Sequence, residues 1–357
     1  MKNGLPYRFP PPHSFETTEI LKELVQAHRY LAELKGIAKT MPNAEILIAT
    51  IAMQEAESSS AIENIVTTQD ALYKYAIQPE SQDSATKEAA DYASALQAGF
   101  ERIGRDGSLT LRTIVEVQAI LEGNDAGFRV LPGTVLKDQK SGEIVYTPPS
   151  PELVPGLMGD LERYINAEDE TDPIIRMALI HHLFESIHPF YDGNGRTGRI
   201  INILYLVTEG LLDTPILYLS RYINQTRGEY YHRLREVRDA EGWEEWIVYI
   251  VRGVAATARQ TIGLIGSIRE LYDAHGSRIR ERHKFYSLDL MNSLFRHPYT
   301  KTSFLASDLG VNRVTAMRYL DVLAADDIVE KRKLGKENYY INRDLVALLF
   351  TLPKLDI

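Results

Sequence analysis

The sequence predicts a mainly α-helical protein with one internal β-hairpin and a C-terminal helix-turn-helix unit that ends in a second hairpin. Three observations carry this. Apolar residues recur at three- and four-residue spacings along most of the 357-residue chain. Segments that alternate with period two are scarce. Turn chemistry suited to hairpins occurs around 140–142 and at 335.

Residues 1–15 are rich in proline and predict an extended arm lying on the body, because proline cannot sustain a helix. From residue 17, Ile20, Leu21, Leu24, His28, Leu31 and Leu34 share one helix face. Further helical stretches cover about 43–53 and 85–103. The segment 127–155 differs: β-favouring runs at 133–137 and 143–146 flank Lys140-Ser141-Gly142, a hairpin closed by a proline-rich exit. Helical patterns resume at 152–167, 173–187 and 196–209, with Gly210 as a C-cap, and continue to about 282. The remaining residues read as helix 286–295, helix 302–309, a turn at Gly310 and a helix 313–326 capped by Asn312. A hairpin of 328–334 and 337–341 follows, turning at Gly335. That order is a winged helix-turn-helix, with Lys331, Arg332, Lys333 and Lys336 on the wing. The chain thus divides into an N-terminal arm and helical region (1–105), a central core (106–282) and a C-terminal unit (283–357).

Hydrophobic residues at 44% and charged residues at 25% are ordinary globular values, which excludes a disordered or fibrous chain. Forty basic minus 49 acidic residues leave −9, so the whole chain is no basic nucleic-acid coat. From residue 281 onward 12 basic minus 10 acidic residues give +2, and the rest carries −11. The chain has no cysteine, which removes disulfides, thiolate metal sites and cysteine catalysis. No apolar run approaches the ~18 residues a membrane span needs. The start lacks the apolar core of a secretory signal. A soluble, cytoplasmic protein is expected.

The segment His188-Pro189-Phe190-Tyr191-Asp192-Gly193-Asn194-Gly195-Arg196-Thr197-Gly198-Arg199 concentrates chemistry. Pro189 ends the helix carrying His188 and leaves the imidazole at a helix end. Asp192 offers a hard oxygen ligand for Mg²⁺. Gly193 and Gly195 permit close approach of a ligand, and successive backbone N–H groups form an anion nest opening into the next helix. Arg196 and Arg199, three apart, share a face and match phosphate oxygens. Together these describe a site for nucleotide phosphates. No GxxxxGK[ST] pattern is present, so this is not a P-loop protein. Gly263 and Gly266 lack the following lysine and are read as helix-packing positions.

HPFYDGNGRTGR matches HxFx(D/E)GNGRxxR at every defined position, and on these residues the chain resembles the Fic-domain family. The likeness runs from the proline-rich start to the C-terminal winged helix. It implies a helical bundle with a β-hairpin flap, acting as a protein adenylyltransferase. Such an enzyme moves AMP from ATP to Ser, Thr or Tyr hydroxyls of target proteins, itself included. On this resemblance His188 is the general base, its ordinary pKa near neutrality suiting the task. Asp192 holds Mg²⁺ across the α- and β-phosphates. The amides of Gly193, Asn194 and Gly195 stabilise charge on the α-phosphate, Thr197 and Gly198 complete the nucleotide-binding run, and Arg196 and Arg199 bind the leaving pyrophosphate portion. Phe190 anchors the loop. Thr134, Val135, Leu136 and Lys137 belong to the flap, whose edge would align an extended target segment; an ordinary surface hairpin is the alternative. Tyr230 and Tyr231 lie near the adenine, with Tyr231 the better candidate for stacking and simple packing the alternative. The family also leaves room for a homodimer.

Ser59-x-x-x-Glu63-Asn64 is similar to the family's inhibitory motif, (S/T)xxxE(G/N). Glu63 would pair with Arg199 and displace the γ-phosphate, since carboxylate and phosphate present the same fork geometry to arginine. Some relatives use this glutamate to remove AMP from targets. The same run also reads as a capping box with Ser60 as N-cap and Glu63 at N3.

Two other classes compete. His181, Glu185 and His188 at i, i+4 and i+7 could ligate zinc in a metallohydrolase, although His181 also reads as a core histidine. The C-terminal unit could make the protein a DNA-binding regulator whose core senses nucleotide, with Arg313 and Arg318 on the recognition helix.

Overall fold

A computed structural model describes residues 4–12, 15–79, 83–137, 141–334 and 337–355. Lys140, Gly335 and Lys336, placed in predicted turns and on the wing, lie outside the described residues. Helices dominate. Their order is α1 (Thr18–Ala38), α2 (Ala44–Ile62), α3 (Gln69–Ile77), α4 (Ser84–Asp106) and α5 (Leu111–Glu122). A two-stranded hairpin follows, β1 (Leu136–Lys137) and β2 (Ile144–Tyr146), then α6 (Val154–Ile165), α7 (Pro173–Ile187) and α8 (Asn194–Thr208). Next come α9 (Leu219–Gln225), α10 (Arg227–Ala240) and the 40-residue α11 (Trp243–Arg282).

The caps explain the starts. Thr17, Asn43, Thr68, Asp83, Thr110 and Asp172 each accept a backbone N–H of the following first turn. Pro173 sits at the first position of α7, where its missing N–H costs nothing. Helix α7 is buried on every side from Ile174 to Ile187, so it forms the axis of the bundle. Helices α6 and α8 pack against it, α4 and α5 pack on α8, and α1 lies along α11. The result places the C-terminus of α7 and the N-terminus of α8 side by side, joined by the loop 188–193.

Four sequence expectations change. Helix α2 runs on to Ile62, so Ser60 lies inside it and Glu63 is its C-cap; the capping-box reading is wrong. Serines would normally compete with helix backbone, but Ser58 bonds Tyr218 Oη at 2.8 Å and Ser59 bonds Arg199, so tertiary partners hold the helix together. Helix α3 falls within the stretch 17–104 that reads as helical but is not delimited by the pattern, and α5 is a helix the pattern does not predict. Gly263 and Gly266 themselves face open space, and the helix packing read for 263–266 is carried instead by the buried Leu264 and Ile265 between them. Finally the C-terminal sheet has three strands. Helix α12 (Leu288–Arg296) leads into β3 (Tyr299–Lys301), α13 (Thr302–Leu309), α14 (Arg313–Ala325), β4 (Glu330–Leu334), β5 (Glu337–Ile341) and α15 (Arg343–Phe350). The strand order is β3-β5-β4, all antiparallel, so β3 adds to the expected hairpin. Asn312 caps α14 as expected, accepting from Thr315 N at 2.9 Å.

The C-terminal elements rest on α2 and α3. Buried Gln54 of α2 donates to the Leu349 carbonyl at 3.2 Å, Arg296 pairs with Glu45, and Tyr73 stacks with both Tyr299 and Phe350. Among the described residues no helix is long and apolar enough to cross a membrane.

The arm does lie on the body. Leu5 and Tyr7 are buried, and Tyr7 meets His182 Nδ1 at 2.9 Å and the edge of Trp243. Tyr7→Ala is expected to lower unfolding free energy by about 3–5 kcal/mol. Tyr7→Phe, which loses only the hydroxyl, should cost about 1 kcal/mol. Urea unfolding midpoints measure both.

Candidate active site

The loop between α7 and α8 is fixed from within. Asn194 accepts Phe190 N–H and donates to the Phe190 carbonyl, both at 2.9 Å, so its side chain staples the loop and leaves its backbone amide to the nest. Phe190 is fully buried against Phe128 and Phe184, as its anchor reading expects. Gly193 has φ +76, and a Cβ there would lie 2.5 Å from Glu122 Oε1. A Cβ on Gly195 would lie 2.2 Å from Glu63 Oε1. Two carboxylates therefore fill the space over the two glycines.

Those carboxylates hold the two arginines. Arg199, 1% exposed, donates through Nη2 to Glu63 Oε1 at 3.0 Å. It also donates to Ser59 Oγ at 2.8 Å and to the Ser59 carbonyl at 2.9 Å. Burial alone would depress this guanidinium, but Glu63, Tyr230, Tyr92 and Glu185 hold it above its ordinary value. Arg196, 3% exposed, donates to Glu122 Oε1 at 2.7 Å, with Glu88 at 3.6 Å. Its Nε and Nη1 have no hydrogen-bond acceptor although both are buried. Such donors suit an anion. Burial, with the nearby Asp192, Glu88 and Asp91, raises the Glu122 carboxyl, and Arg196 opposes this.

His188 is partly exposed and sits in the left-handed region at φ +48, as the C-cap of α7. Burial, aided by Arg238 and Arg129, pushes its imidazole down to about 3, below the near-neutral value expected. It is therefore neutral at physiological pH. Asp192 lies exposed at the loop's tip, with Oδ1 accepting Gly193 N–H at 2.7 Å. A single solvent-facing carboxylate beside an anion nest fits Mg²⁺, which keeps most of its waters and takes few protein ligands.

The other predicted residues divide. Thr197 is buried, its hydroxyl without a partner. Gly198 faces Glu185 and Phe184, where a Cβ would clash at 2.8 and 3.1 Å, so it serves the close α7–α8 contact. Tyr230 is buried and bonds His181 at 2.9 Å. Tyr231 is partly exposed, with the Arg227 guanidinium 5.8 Å over its ring and Tyr230 5.2 Å away in an edge contact. Asn64, at φ +62, receives Arg227 at 2.8 Å. Thr134 and Val135 precede β1, and Leu136 and Lys137 form it, with Lys137 exposed. The zinc reading fails: His181 is a core group stacked on Trp246, and no cluster of three ligating side chains occurs among the described residues. Sequence reasoning missed Glu122, Arg129 and Arg238, because helix ends and long-range pairs leave no local pattern.

Comparison with known proteins agrees with this geometry. Three family models match in succession: "Fic/DOC family N-terminal" over 21–101, "Fic/DOC family" over 108–206, and "Protein adenylyltransferase SoFic-like, C-terminal domain" over 271–345. A probable protein adenylyltransferase of Aquifex aeolicus is 37% identical over 101 residues, covering 28% of this chain and 32% of that protein. Protein adenylyltransferase fic-1 of Caenorhabditis elegans is 32% identical over 120 residues, covering 33% and 22%. The matches thus span a third or less of these relatives. A solved Fic family protein from Desulfovibrio desulfuricans superposes with a TM-score of 0.57 at 19% identity, over 94% of this chain and 98% of that one. A Caenorhabditis elegans Fic-1 structure gives 0.52 at 22% identity, over 68% and 72%. The loop motif, the helical fold and the three successive matches show that this chain belongs to the Fic/DOC family.

Proposed function

We propose that the protein is an adenylyltransferase that moves AMP from ATP to Ser, Thr or Tyr hydroxyls of target proteins and is restrained by Glu63. One observation carries this reading: a neutral histidine at a helix end stands beside a glycine-arginine anion nest in which a carboxylate already occupies the Arg199 fork. In the reaction the hydroxyl oxygen attacks the α-phosphorus, an O–P bond forms, and the bond to the bridging β-phosphate oxygen breaks. Pyrophosphate leaves, and the hydroxyl proton passes to His188. The Gly193, Asn194 and Gly195 amides stabilise the α-phosphate charge. Mg²⁺ on Asp192 would neutralise the phosphates. Tyr231 offers a face to the adenine.

Glu63 restrains the site because Arg199 cannot serve carboxylate and γ-phosphate together. Ser59 holds the same guanidinium from the same helix, so the whole C-terminal end of α2 is the brake. Removal of AMP would rely on Glu63 too. The exposed Ile144 and Val145 next to β1 support a docking role for the flap, with Thr134–Lys137 as its edge.

The division 1–105, 106–282 and 283–357 is supported by the end of α11 at Arg282 and by the positions of the three family matches. We read the last unit as a winged helix. DNA contact finds little support: Lys331 is tied to Asp321 and Arg332 to Glu330, and α14 exposes Val314 and Met317. An ATP donor suits a cytoplasmic protein.

His188→Ala should lower transfer from α-labelled ATP by about 10²–10⁴-fold, with ATP affinity by calorimetry changed less than about threefold. Transfer at the parent rate would overturn the base assignment. Glu63→Gly should raise self-labelling about tenfold or more, equal to ~1.4 kcal/mol released at Arg199. Intact-mass spectrometry with ATP and Mg²⁺ reads this; unchanged labelling would remove the brake.

A further inference from the structure

The end of α7 is closed by side chains from elsewhere. A helix leaves its last four carbonyls without intrahelical partners. Here each finds a donor. The last bond of the helix ladder runs from His188 N–H to the Phe184 carbonyl; beyond it, Tyr146 Oη donates to the Ser186 carbonyl at 2.9 Å. Arg238 approaches the Glu185 carbonyl at 3.5 Å and lies 3.9 Å over the Tyr146 ring. Arg129, 2% exposed, does most. Its Nε donates to the His188 carbonyl at 2.8 Å, and its Nη2 donates to the carbonyls of Ile187 at 3.2 Å and Pro149 at 2.5 Å. Its backbone N–H donates to the Pro189 carbonyl at 2.9 Å.

These contacts have a geometry that matters to the base. A non-glycine residue in the left-handed region costs about 1–3 kcal/mol and persists only where its surroundings impose it. The carbonyls on both sides of the Ile187–His188 junction are gripped by one planar guanidinium, whose fork holds direction as well as charge. Pro149 lies at the exit of the flap and Arg129 at its entrance. One side chain therefore ties both feet of the flap to the residue bearing the imidazole.

We infer that Arg129 is the positioning residue of His188: it imposes the base's backbone conformation and makes flap and base a single mechanical unit, with Tyr146 as its lesser partner. A target segment aligned on the flap is then aligned on the base as well. This inference rests on the adenylyltransferase reading of the site.

The test uses the full chain carrying Glu63→Gly, with Arg129→Lys, Arg129→Met and Tyr146→Phe added singly. Initial rates of label transfer from α-labelled ATP give kcat and KM, and thermal melts report folding. Lysine keeps the charge and three donors, but all three radiate from one nitrogen and cannot reproduce the separate Nε and Nη2 positions that reach the His188 carbonyl on one side and the Ile187 and Pro149 carbonyls on the other. Both Arg129 variants should lose about 10²-fold in kcat, the scale of a 1 Å misplacement. KM for ATP should move less than about threefold, and Tyr146→Phe should lose roughly three- to tenfold in kcat alone. Parent-like kcat in Arg129→Lys would mean that charge alone matters and overturns the inference. So would equal losses in kcat and ATP binding, or Arg129 variants that fail to fold while Tyr146→Phe turns over normally. A Glu63→Gly parent that transfers no label would instead sink the adenylyltransferase reading itself, which keeps the two failures distinct.

Discussion

A guanidinium lying 1% exposed inside a helical bundle must be compensated on the spot. Arg199 sits one turn into α8, and its partners come from α2: the Ser59 hydroxyl, the Ser59 carbonyl and the Glu63 carboxylate. This need dictates much of the architecture. It draws the end of α2 across the start of α8, keeps α2 helical through three consecutive serines, and closes the nest over Gly195. The contacts that compensate the buried guanidinium are thus the ones that occupy its fork. Under the proposed function, a nucleotide phosphate at Arg199 would have to supply the charge that Glu63 supplies here.

Helix α2 is a shared structural beam. Several of its other buried polar groups find partners from different directions, although Ser60 Oγ and Gln54 Oε1 have none. Glu55 accepts Ser220 N–H at 2.9 Å, the Ser220 hydroxyl, and Tyr92 Oη at 3.1 Å. Burial raises its carboxyl to about 7 despite these donors. Gln54 reaches the Leu349 carbonyl on the C-terminal side. Glu55, Ser59 and Glu63 repeat at four-residue intervals and share one face, while Gln54 turns toward the C-terminal unit. Helix α2 thus packs mainly on α4, α9 and α12, reaching Arg199 of α8 at its C-terminal end and the Leu349 carbonyl of α15 through Gln54.

The second constraint is the pair of helix ends that meet at the loop. Helix α7 brings carbonyls and needs donors; helix α8 brings N–H groups and attracts anions. Arg129, Arg238 and Tyr146 answer the first need. Glu122 and Glu63, lying over Gly193 and Gly195, answer the second. A neutral imidazole at the junction is a physical consequence, since both burial and the neighbouring cations disfavour its charged form.

The chain's own order of residues determined the helical class, the bounds of α7, the hairpin between 133 and 146, and the twelve-residue loop. All of these rest on local rules: periodicity, caps, proline stops and glycine freedom. The loop motif was legible because its chemistry is contiguous, and the Ser59–Glu63 run because its likeness to an inhibitory motif is short and local. The tertiary structure alone decided that α2 continues through its serines, that Glu122 pairs with Arg196 across 74 residues, and that Arg129 closes the end of α7. Only folding creates the buried, low-dielectric setting in which a distant side chain can satisfy an orphan backbone group or hold a charge. Pairs set by that requirement leave no periodic trace in the sequence.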